Sequence, residues 1–488
     1  MSIERPLQLR LYDTMRREIC PVVSATPGAL TVYACGPTVY RDAHVGNMRT
    51  FLLLDLLRRA ASLSGLRVRT VQNITDVGHM ADDTGLGGDG LGGVDEGQGD
   101  TEDRVLAEAR TEGRGALDIA RHYEQGFRDD LALLNITPAD EMPRASESIE
   151  LMVAAVSRLI DKQHAYVGAD GTVYFDARSF DSYGALSGNK LEELRSGTRF
   201  EGPEDPVKRF HADWALWKRA PETRTQLVWD TPWGVGFPGW HIECTAMSLD
   251  RLGSAIDVHI GGIDLRFPHH EDERAQSNSI AGREVVGHWL HGEHLLFEGR
   301  KMSKSSGNVV LVSDVIARGF DPLALRLVFL EHRYRQQMNL TWTEIEAADA
   351  TLRRWRQRVA SWAESPSGAM EMSYVDEVLG AYCDDLDTSA AVLALRRLER
   401  DDIPDGVKFE TVAHLDRLFG LDLARDVGKT QTLPVGAQEL LDRRAAARAA
   451  KEWALSDSLR DELAALGVTV TDTNDGQSAT SSRSHDPV

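Results

Sequence analysis

The chain has 488 residues, of which 42% are hydrophobic and 27% are charged. This composition is ordinary for a folded protein and excludes a mainly disordered chain, and at roughly 100–200 residues per domain the length predicts several domains. The formal net charge of −21 argues weakly against a polyanionic ligand. Arginines nevertheless cluster in three segments, RRWRQR, RRLER and RRAAAR, so local patches remain compatible with nucleic acid.

The number of cysteines and the length of the apolar segments indicate the cellular compartment of the protein. The four cysteines are too few for a disulfide framework in a chain of this size. The N-terminal MSIERPLQLR lacks the apolar core of a signal peptide. The densest apolar stretch, Phe51 to Leu57, is far shorter than the ~20 residues of a membrane-spanning helix. We therefore expect a cytoplasmic protein with no membrane role.

Residues 1–130 predict the first half of a parallel sheet. LTVYACG predicts a strand, Gly36 and Pro37 a turn, MRTFLLLDLLRRAASLSG a helix, and LRVRTVQNIT a second strand. This order favours an α/β fold whose ligand crevice lies at the carboxyl ends of the strands, near Cys35 and His44. The Gly/Asp-rich stretch at residues 80–103 predicts an acidic loop without an assigned role.

The rest of the chain divides by its pattern. Residues 131–225 predict an inserted domain, and residues 226–300 return to the sheet with strand-like patches near Ala255–Ile260 and Val285–Phe297. Amphipathic helices then predict an all-helical C-terminal region, apart from a short strand at VTVTD. We place the later boundaries at 301–345, 346–432 and 433–475, followed by a disordered polar tail at 476–488.

Two short strings suggest phosphate chemistry. His44-Val45-Gly46-Asn47 opens a helix, where backbone N–H groups favour a phosphate, although a lone histidine there is more often a cap. Lys301-Met302-Ser303-Lys304-Ser305 places two lysines in a glycine-containing loop after a strand. Such a loop suits a triphosphate, because lysine neutralises the charge that develops when a phosphoanhydride bond breaks.

Together, in this order and separation, the two strings resemble the HIGH-like and KMSKS signatures of class I aminoacyl-tRNA synthetases. The longer strings YACGPTVY, NITDVGH, ADWALWK, GWHIECTAM, FPHHEDE and KMSKSSGN resemble cysteinyl-tRNA synthetase across roughly residues 8–475. The resemblance implies a Rossmann-type catalytic core split by an inserted connective domain. It also implies a stem-contact region with the KMSKS loop at 301–345, a tRNA-binding helical bundle at 346–432 and an anticodon-binding region at 433–475.

Four residues form a candidate zinc site. Cys35, Cys244, His269 and Glu273 carry side chains that are ordinary zinc ligands, and the spacing of four puts the last two on one helix face. Each cysteine alone is more often a buried small hydrophobe. The family's ligand positions imply one zinc per chain, joined by the substrate thiolate, and select His269 over its neighbour His270. Cys20 and Cys383 match no ligand position.

The resemblance also implies roles for other residues. It places Thr75 and Trp240 around the amino acid and Asp264 near the adenosine ribose. His259 in VHIGG is either a further nucleotide contact or a structural histidine whose hydrogen bonds are satisfied within the protein. Asn47 stands where the family signature has its second histidine, and an amide can still donate a hydrogen bond. Catalysis is assigned to His44, Asn47, Lys301 and Lys304, and magnesium is expected on the phosphates of ATP.

The implied activity is activation of L-cysteine with ATP, followed by transfer to tRNA(Cys), by a chain expected to be monomeric. One rival is the cysteine ligase of mycothiol synthesis, which shares the adenylating core but passes cysteine to an amino sugar. That rival is expected to lack a tRNA-reading extension, whereas this chain continues through DRRAAARAAKEWALSDSLRDELAALGVTVTD. A second rival is a non-catalytic paralogue, which should have lost part of the ligand set or of the two signatures.

Overall fold

The computed structural model describes residues 8–78, 103–191, 207–302, 307–429, 434–473 and 476–481. The chain divides into two compact units, residues 1–425 and 426–488. Lys304 and the Gly/Asp-rich stretch before residue 103 lie outside the described residues. No helix in the described ranges has the length and apolar character required to cross a lipid bilayer.

The described strands of the first unit belong to several small sheets. In chain order they are β1 (Arg10–Asp13), β2 (Glu18–Pro21), β3 (Ala29–Ala34), β4 (Arg67–Gln72), β5 (Ala165–Val167), β6 (Val173–Phe175), β7 (Trp214–Arg219), β8 (Trp229–Thr231), β9 (Gly234–Pro238), β10 (Val258–Gly262), β11 (Trp289–Gly292), β12 (Leu295–Phe297), β13 (Arg300–Lys301) and β14 (Met338–Leu340).

The helices of the first unit lie between and after these strands. In chain order they are α1 (Val45–Leu63), α2 (Arg104–Glu112), α3 (Ala116–Leu133), α4 (Ile149–Asp161), α5 (Trp240–Leu252), α6 (His269–Ala281), α7 (Val312–Ala317), α8 (Pro322–Leu330), α9 (Trp342–Trp362), α10 (Met372–Cys383), α11 (Thr388–Arg400) and α12 (Asp405–Phe419).

A parallel sheet forms the centre of the first unit. Its order is β11-β10-β3-β4, and each neighbouring pair is parallel. The two halves of the sheet therefore come from segments separated by more than 180 residues of sequence. The α/β fold and the split core predicted from the sequence are confirmed, and the strand ends from both halves lie side by side at one edge.

The helix α1 follows β3 and packs against this sheet. Its apolar run from Phe51 to Leu57 is buried because the helix is covered by the sheet and by later helices. The N-terminus is closed by a capping box in which the side chain of His44 accepts from the Asn47 N–H and the side chain of Asn47 accepts from the His44 N–H. These two bonds satisfy backbone donors that a helix start leaves open.

The inserted segment carries a separate antiparallel sheet of order β5-β6-β7-β9-β8. This sheet continues to Pro238, beyond the boundary at residue 225 that the sequence predicts. The reason is that the hairpin of β8 and β9 pairs with β7, whose partners run from Trp217 with Pro238 to Arg219 with Gly236. The insert therefore leads directly into α5 at Trp240.

The second unit contains α13 (Ala437–Ala449), α14 (Trp453–Ala465), β15 (Val468–Thr473) and β16 (Gly476–Ser481). The strand predicted at VTVTD is present as β15. The prediction of a disordered tail from residue 476 is wrong for 476–481, because these residues pair with β15 in an antiparallel hairpin from Val468 with Ser481 to Thr473 with Gly476. The pairing satisfies backbone N–H and C=O groups of both strands. The polar composition of residues 476–481 does not reveal that they form a strand.

Candidate metal centre and ligand cavity

Four elements bring the predicted metal ligands together. Cys35 directly follows β3, and its N–H donates to the Ile260 carbonyl of β10 at 3.0 Å. Cys244 lies in the second turn of α5. His269 begins α6 and Glu273 follows one turn later, so both side chains leave the same helix face. One ligand atom from each of the four residues lies within 4.8 Å of every other.

Two of the three distances within this group are close to those of a tetrahedral metal site, and the third is a shorter hydrogen-bond distance. The two sulfurs, Cys35 Sγ and Cys244 Sγ, are 3.9 Å apart, and Cys35 Sγ is 3.5 Å from Glu273 Oε1. His269 Nε2 is 2.9 Å from the same carboxylate oxygen. With metal–ligand bonds of about 2.0–2.3 Å, tetrahedral ligands stand roughly 3.3–3.8 Å apart. The donor atoms are ones that metal ions bind, and the two distances from Cys35 Sγ lie close to this range, so the four residues could hold a metal ion.

Burial sets the protonation of the protein groups themselves. It raises the pKa of the Cys35 thiol well above its ordinary value and that of Cys244 to about 11. It also raises the pKa of Glu273 to about 7. A divalent cation at this position would reverse these preferences, because it favours the deprotonated ligand.

A second set of donors shares Cys35 and Glu273. His259 Nε2 and His270 Nε2 lie 3.5 and 3.3 Å from Cys35 Sγ, and this set also has its ligand atoms within 4.8 Å of one another. Burial lowers the pKa of His259 to about 4 and that of His270 well below its usual value, so both rings are neutral. The distances alone therefore do not decide whether His269 or His270 is the metal ligand. The first set contributes a second thiol, which zinc favours.

A cavity of about 850 Å³, counted with its open mouth, adjoins the first set. Cys35, Cys244 and His269 line it, together with Thr75 and Trp240. The Trp240 ring stacks on that of His269 with a centroid distance of 4.1 Å. The two residues predicted to contact the amino acid thus share one cavity with three of the predicted metal ligands.

The wall beside Cys35 depends on a glycine. A Cβ on Gly36 would stand 1.7 Å from the Asn73 carbonyl oxygen, so a larger residue cannot be accommodated at this turn. The Gly36 N–H donates to Asn73 Oδ1 at 2.9 Å, and Asn73 Nδ2 donates to Thr75 Oγ1 at 3.0 Å. This chain of bonds holds the ends of β3 and β4 together and fixes the side chains of Cys35 and Thr75 on the cavity wall.

The start of α1 lies next to the segment that follows the lysine-rich string. The Val45 N–H at the start of α1 donates to the Val310 carbonyl at 2.9 Å, and His44 forms an isolated bridge with Leu311. Asn47 and Asp264 line the cavity. The described part of the lysine-rich string ends at Met302, and Lys301 lies exposed on β13. The predicted role of Lys304 falls outside the described residues.

Some of the predicted site residues line the cavity, and others are buried outside it. Asn47, Thr75, Trp240 and Asp264 line the cavity, whereas His44 is buried as the cap of α1. His259 is buried behind the cavity wall, where its ring stacks on Trp289 with a centroid distance of 4.6 Å. Its assignment to the nucleotide stays a prediction.

Comparisons with known proteins agree with this arrangement. Residues 21–82 and 97–350 match the family model described as tRNA synthetases class I (C) catalytic domain, and residues 430–478 match the cysteinyl-tRNA ligase anticodon binding domain. A cysteine–tRNA ligase of Salinibacter ruber is 40% identical, covering 96% of this chain and 97% of the relative. One of Thermus thermophilus is 39% identical, covering 96% and 98%. The chain belongs to the cysteinyl-tRNA synthetase family.

Solved structures extend the likeness at the level of the fold. A methionyl-tRNA synthetase of Mycobacterium tuberculosis has a TM-score of 0.53 at 16% identity, covering 81% of this chain and 92% of that one. A LeuRS–tRNA–LeuAMS ternary complex of Agrobacterium radiobacter has a TM-score of 0.54 at 11% identity, covering 82% and 84%. Over about four fifths of its length, this cysteinyl-tRNA synthetase family member therefore shares its fold with these two synthetases of other specificities.

Sequence reasoning missed part of the cavity wall. Tyr123 and Phe127 of α3 line the cavity, although their spacing of four reads as a core-facing stripe. Asp42, just before the first signature, lines it as well. No local pattern distinguishes these cavity positions from ordinary packing, so only the assembled fold identifies them.

Proposed function

We propose that this chain is a cysteine–tRNA ligase. It activates L-cysteine with ATP to cysteinyl-adenylate and pyrophosphate, then transfers the cysteinyl group to the 3′-terminal ribose of tRNA(Cys). The observation that carries the proposal is the buried donor set of Cys35, Cys244, His269 and Glu273 beside a cavity that Asn47 of the first signature also lines. Membership in the family supports the assignment of substrates.

In the first step the cysteine carboxylate attacks the α-phosphorus of ATP. The bond from that phosphorus to the bridging oxygen breaks, and pyrophosphate leaves with the electron pair. The carboxylate is already ionised near neutral pH, so the step needs no protein base. The chain contributes positioning and charge: N–H groups at the start of α1 and the Asn47 amide would donate to the phosphates, and Lys301 and Lys304 would neutralise the leaving group. Magnesium bound to the phosphates would supply further positive charge.

Substrate choice follows from the donor set. Cys35, Cys244, His269 and Glu273 would hold zinc, which when bound would lower the pKa of a coordinating thiol and would favour the sulfur of cysteine over the hydroxyl oxygen of serine. Trp240 and Thr75 shape the cavity around the remainder of the amino acid, and Asp264 accepts from a ribose hydroxyl. Serine has no thiol to coordinate the metal, so the preference for cysteine over serine can reach about 10⁴-fold without an editing domain.

In the second step a hydroxyl of the terminal ribose attacks the activated carbonyl carbon. AMP leaves with the electrons of the broken carbon–oxygen bond, and the hydroxyl proton passes to a phosphate oxygen of the departing AMP or to water. The segment at residues 430–478, which matches an anticodon binding domain, supplies the means to choose the tRNA. We propose that the chain acts as a monomer in the cytoplasm, where translation consumes its product.

The test offers the full-length protein radiolabelled cysteine and ATP, with total tRNA in one reaction and the amino sugar in another. Label in acid-precipitable RNA is expected, and label only in a sugar adduct would reject the proposal. Cysteine-dependent ATP–pyrophosphate exchange should be lost in Cys244→Ser, whereas Cys20→Ser, which changes a cysteine outside the cavity, should leave it unchanged. Exchange that survives in metal-free Cys244→Ser would refute the role of zinc.

A further inference from the structure

A line of side chains leads from the metal cluster into the inserted domain. His269 Nδ1, on the side of the ring opposite the cluster, lies 2.9 Å from His241 Nδ1. His241 Nε2 lies 3.4 Å from Asp272 Oδ2, and the other oxygen of that carboxylate accepts from the Tyr183 hydroxyl at 2.6 Å. His241, Asp272 and His269 are all at least 95% buried, since their exposed fractions are 5%, 2% and 1%.

The ligand role of His269 fixes the direction of every bond in this line. If Nε2 of His269 binds the metal, the proton of the neutral ring is on Nδ1, which then donates to His241 Nδ1. His241 must therefore carry its own proton on Nε2, where it faces Asp272 Oδ2. Asp272 then accepts from His241 at Oδ2 and from Tyr183 at Oδ1.

We propose that His241, Asp272 and Tyr183 are positioning residues that hold His269 in the tautomer and orientation required for zinc. The inference rests on the proposed function, because it takes zinc as the occupant of the cluster. Hydrogen bonds behind a metal-bound histidine raise its basicity and typically contribute 10–100-fold to metal affinity. Trp240, stacked on the His269 ring, restrains the ring plane but does not select the tautomer.

The tyrosine comes from the insert rather than from the catalytic sheet. It lies in the segment between β6 and β7, and this segment is also held to α6 by other bonds. The Ser187 N–H donates to Glu271 Oε2 at 2.7 Å, and Arg274 donates to the carbonyl and the hydroxyl of Ser182 at 3.0 and 3.1 Å. The segment therefore keeps these bonds to α6 when the Tyr183 hydroxyl and its bond to Asp272 are removed.

The chain offers a matched control within the same insert. The Tyr166 hydroxyl donates to Asp213 Oδ2, also at 2.6 Å, but that pair has no contact with the histidine line. Glu271, buried on α6 beside Asp272, is the control for the carboxylate, because its bonds run to Ser187 and Arg274 and the amide oxygen of a glutamine can still accept from the Ser187 N–H. The comparison thus separates the effect of losing any buried hydrogen bond from the effect of breaking the contacts behind His269.

The experiment measures zinc affinity of the full-length variants by competition with a chromogenic chelator, and the d–d absorption of the cobalt-substituted proteins. Asp272→Asn is expected to weaken zinc binding about 10–100-fold and to shift the cobalt bands, and Tyr183→Phe to weaken it by about threefold or more. Tyr166→Phe and Glu271→Gln should remain within about twofold of the wild type and keep its spectrum.

Equal zinc affinity in Tyr183→Phe, Tyr166→Phe and the wild type would overturn the inference. An equal loss in Asp272→Asn and Glu271→Gln would overturn it as well, because the effect would then be a general disturbance of α6. Tyr183→Phe decides the matter if Asp272→Asn does not fold. A wild-type protein that binds no zinc refutes the proposed cofactor itself, which is a separate result.

Discussion

Two adjacent histidines at the start of α6 differ in what they contact. His269 Nε2 is 2.9 Å from Glu273 Oε1, whereas His270 Nε2 is 4.0 Å from the same oxygen and 3.3 Å from Cys35 Sγ. His270 Nδ1 in turn contacts His291 Nε2 at 2.8 Å, so its ring is already held from both sides within the protein. We assign metal binding to His269 because its set includes both thiols.

The assignment predicts opposite results for the two histidines. His269→Asn should purify with far less than one zinc per chain, while His270→Asn should retain one, because asparagine can still accept or donate toward His291. Metal content of the purified proteins, with circular dichroism to verify folding, provides the measurement. A His270 variant without zinc beside a zinc-bearing His269 variant would instead favour the set containing His259.

A carboxyl group on α3 destabilises the fold at high pH. Burial, together with the neighbouring charges of Asp42 and Asp129, raises the pKa of Asp130 to about 7. The unfolded chain has its aspartate pKa near 3.9, so between these values the native state keeps a proton that the unfolded state has lost. Stability contributed by this group is therefore present at low pH and is lost as the pH rises toward about 7.

Asp130→Asn should remove this effect. We expect a gain in the free energy of unfolding of about 1 kcal/mol near pH 8, discounted for the partial exposure of the side chain, and a smaller gain near pH 5. Asp129→Asn should give less, because it removes only one of the two neighbouring charges. Urea unfolding at both pH values tests this, and a gain that does not change with pH would attribute the effect to the amide side chain instead.

At the scale of elements, α1 combines a structural cap with a ligand-facing start. Asn47 accepts from the His44 N–H at 3.2 Å, and it also lines the cavity. Its side-chain oxygen thus caps the helix, while its amide hydrogens are the donors that we propose for a phosphate of ATP. One residue carries two roles, and a pair of substitutions can separate them.

Asn47→Asp keeps the oxygen acceptor and adds a charge that the helix dipole favours, so its stability should stay close to that of the wild type. Asn47→Ala keeps the bond to the His44 side chain but loses the reciprocal bond from the His44 N–H, and it should cost about 0.5–1.5 kcal/mol in the free energy of unfolding. Both should lower ATP–pyrophosphate exchange by more than about tenfold, because neither can donate to a phosphate. Wild-type exchange in Asn47→Asp would show that the amide donor plays no part in activation.

Sequence predicted those elements whose pattern is local. The strand, helix and strand from β3 to β4 followed from one apolar period and a Gly-Pro turn, and α6 carries its two ligands at a spacing of four. Cys35 and Cys244 are 209 residues apart in sequence, and their sulfurs come close together only because the two halves of the split core fold against each other. The sequence prediction that both belong to one metal site came from the resemblance to a family. The hairpin at β8 and β9 and the strand β16 were missed because glycine-rich and polar segments form strands only when a partner strand is present.

At the scale of the whole catalytic unit, one buried arginine joins three parts of the chain. Arg326 of α8 contacts Asp55 Oδ2 of α1 at 2.7 Å, with both side chains 0% exposed. It also donates to the Phe419 carbonyl at the end of α12 at 2.6 Å and to the Asn135 carbonyl at 2.8 Å. Because α1 starts at the cavity, this cluster connects the helical region to the helix that carries the first signature.

Asp55 balances the charge of that arginine. Burial alone would raise the pKa of Asp55, but Arg326 and Arg59 more than offset it and hold the pKa below its usual value. The carboxylate is thus ionised near neutral pH, and the stability it contributes is lost only as the pH falls through its lowered pKa. Its removal at neutral pH would leave the Arg326 guanidinium buried without its countercharge.

We therefore expect Asp55→Asn to lower the free energy of unfolding by about 3–5 kcal/mol, as measured by urea denaturation of the full-length protein. Glu377→Gln is the control, because Glu377 pairs with Arg397 at the surface of the same helical region, with side chains about half exposed. That pair should contribute about 0–1 kcal/mol. Similar losses in the two variants would mean that the Arg326 cluster adds no more than a surface ion pair, and that other contacts hold α1 against the helical region.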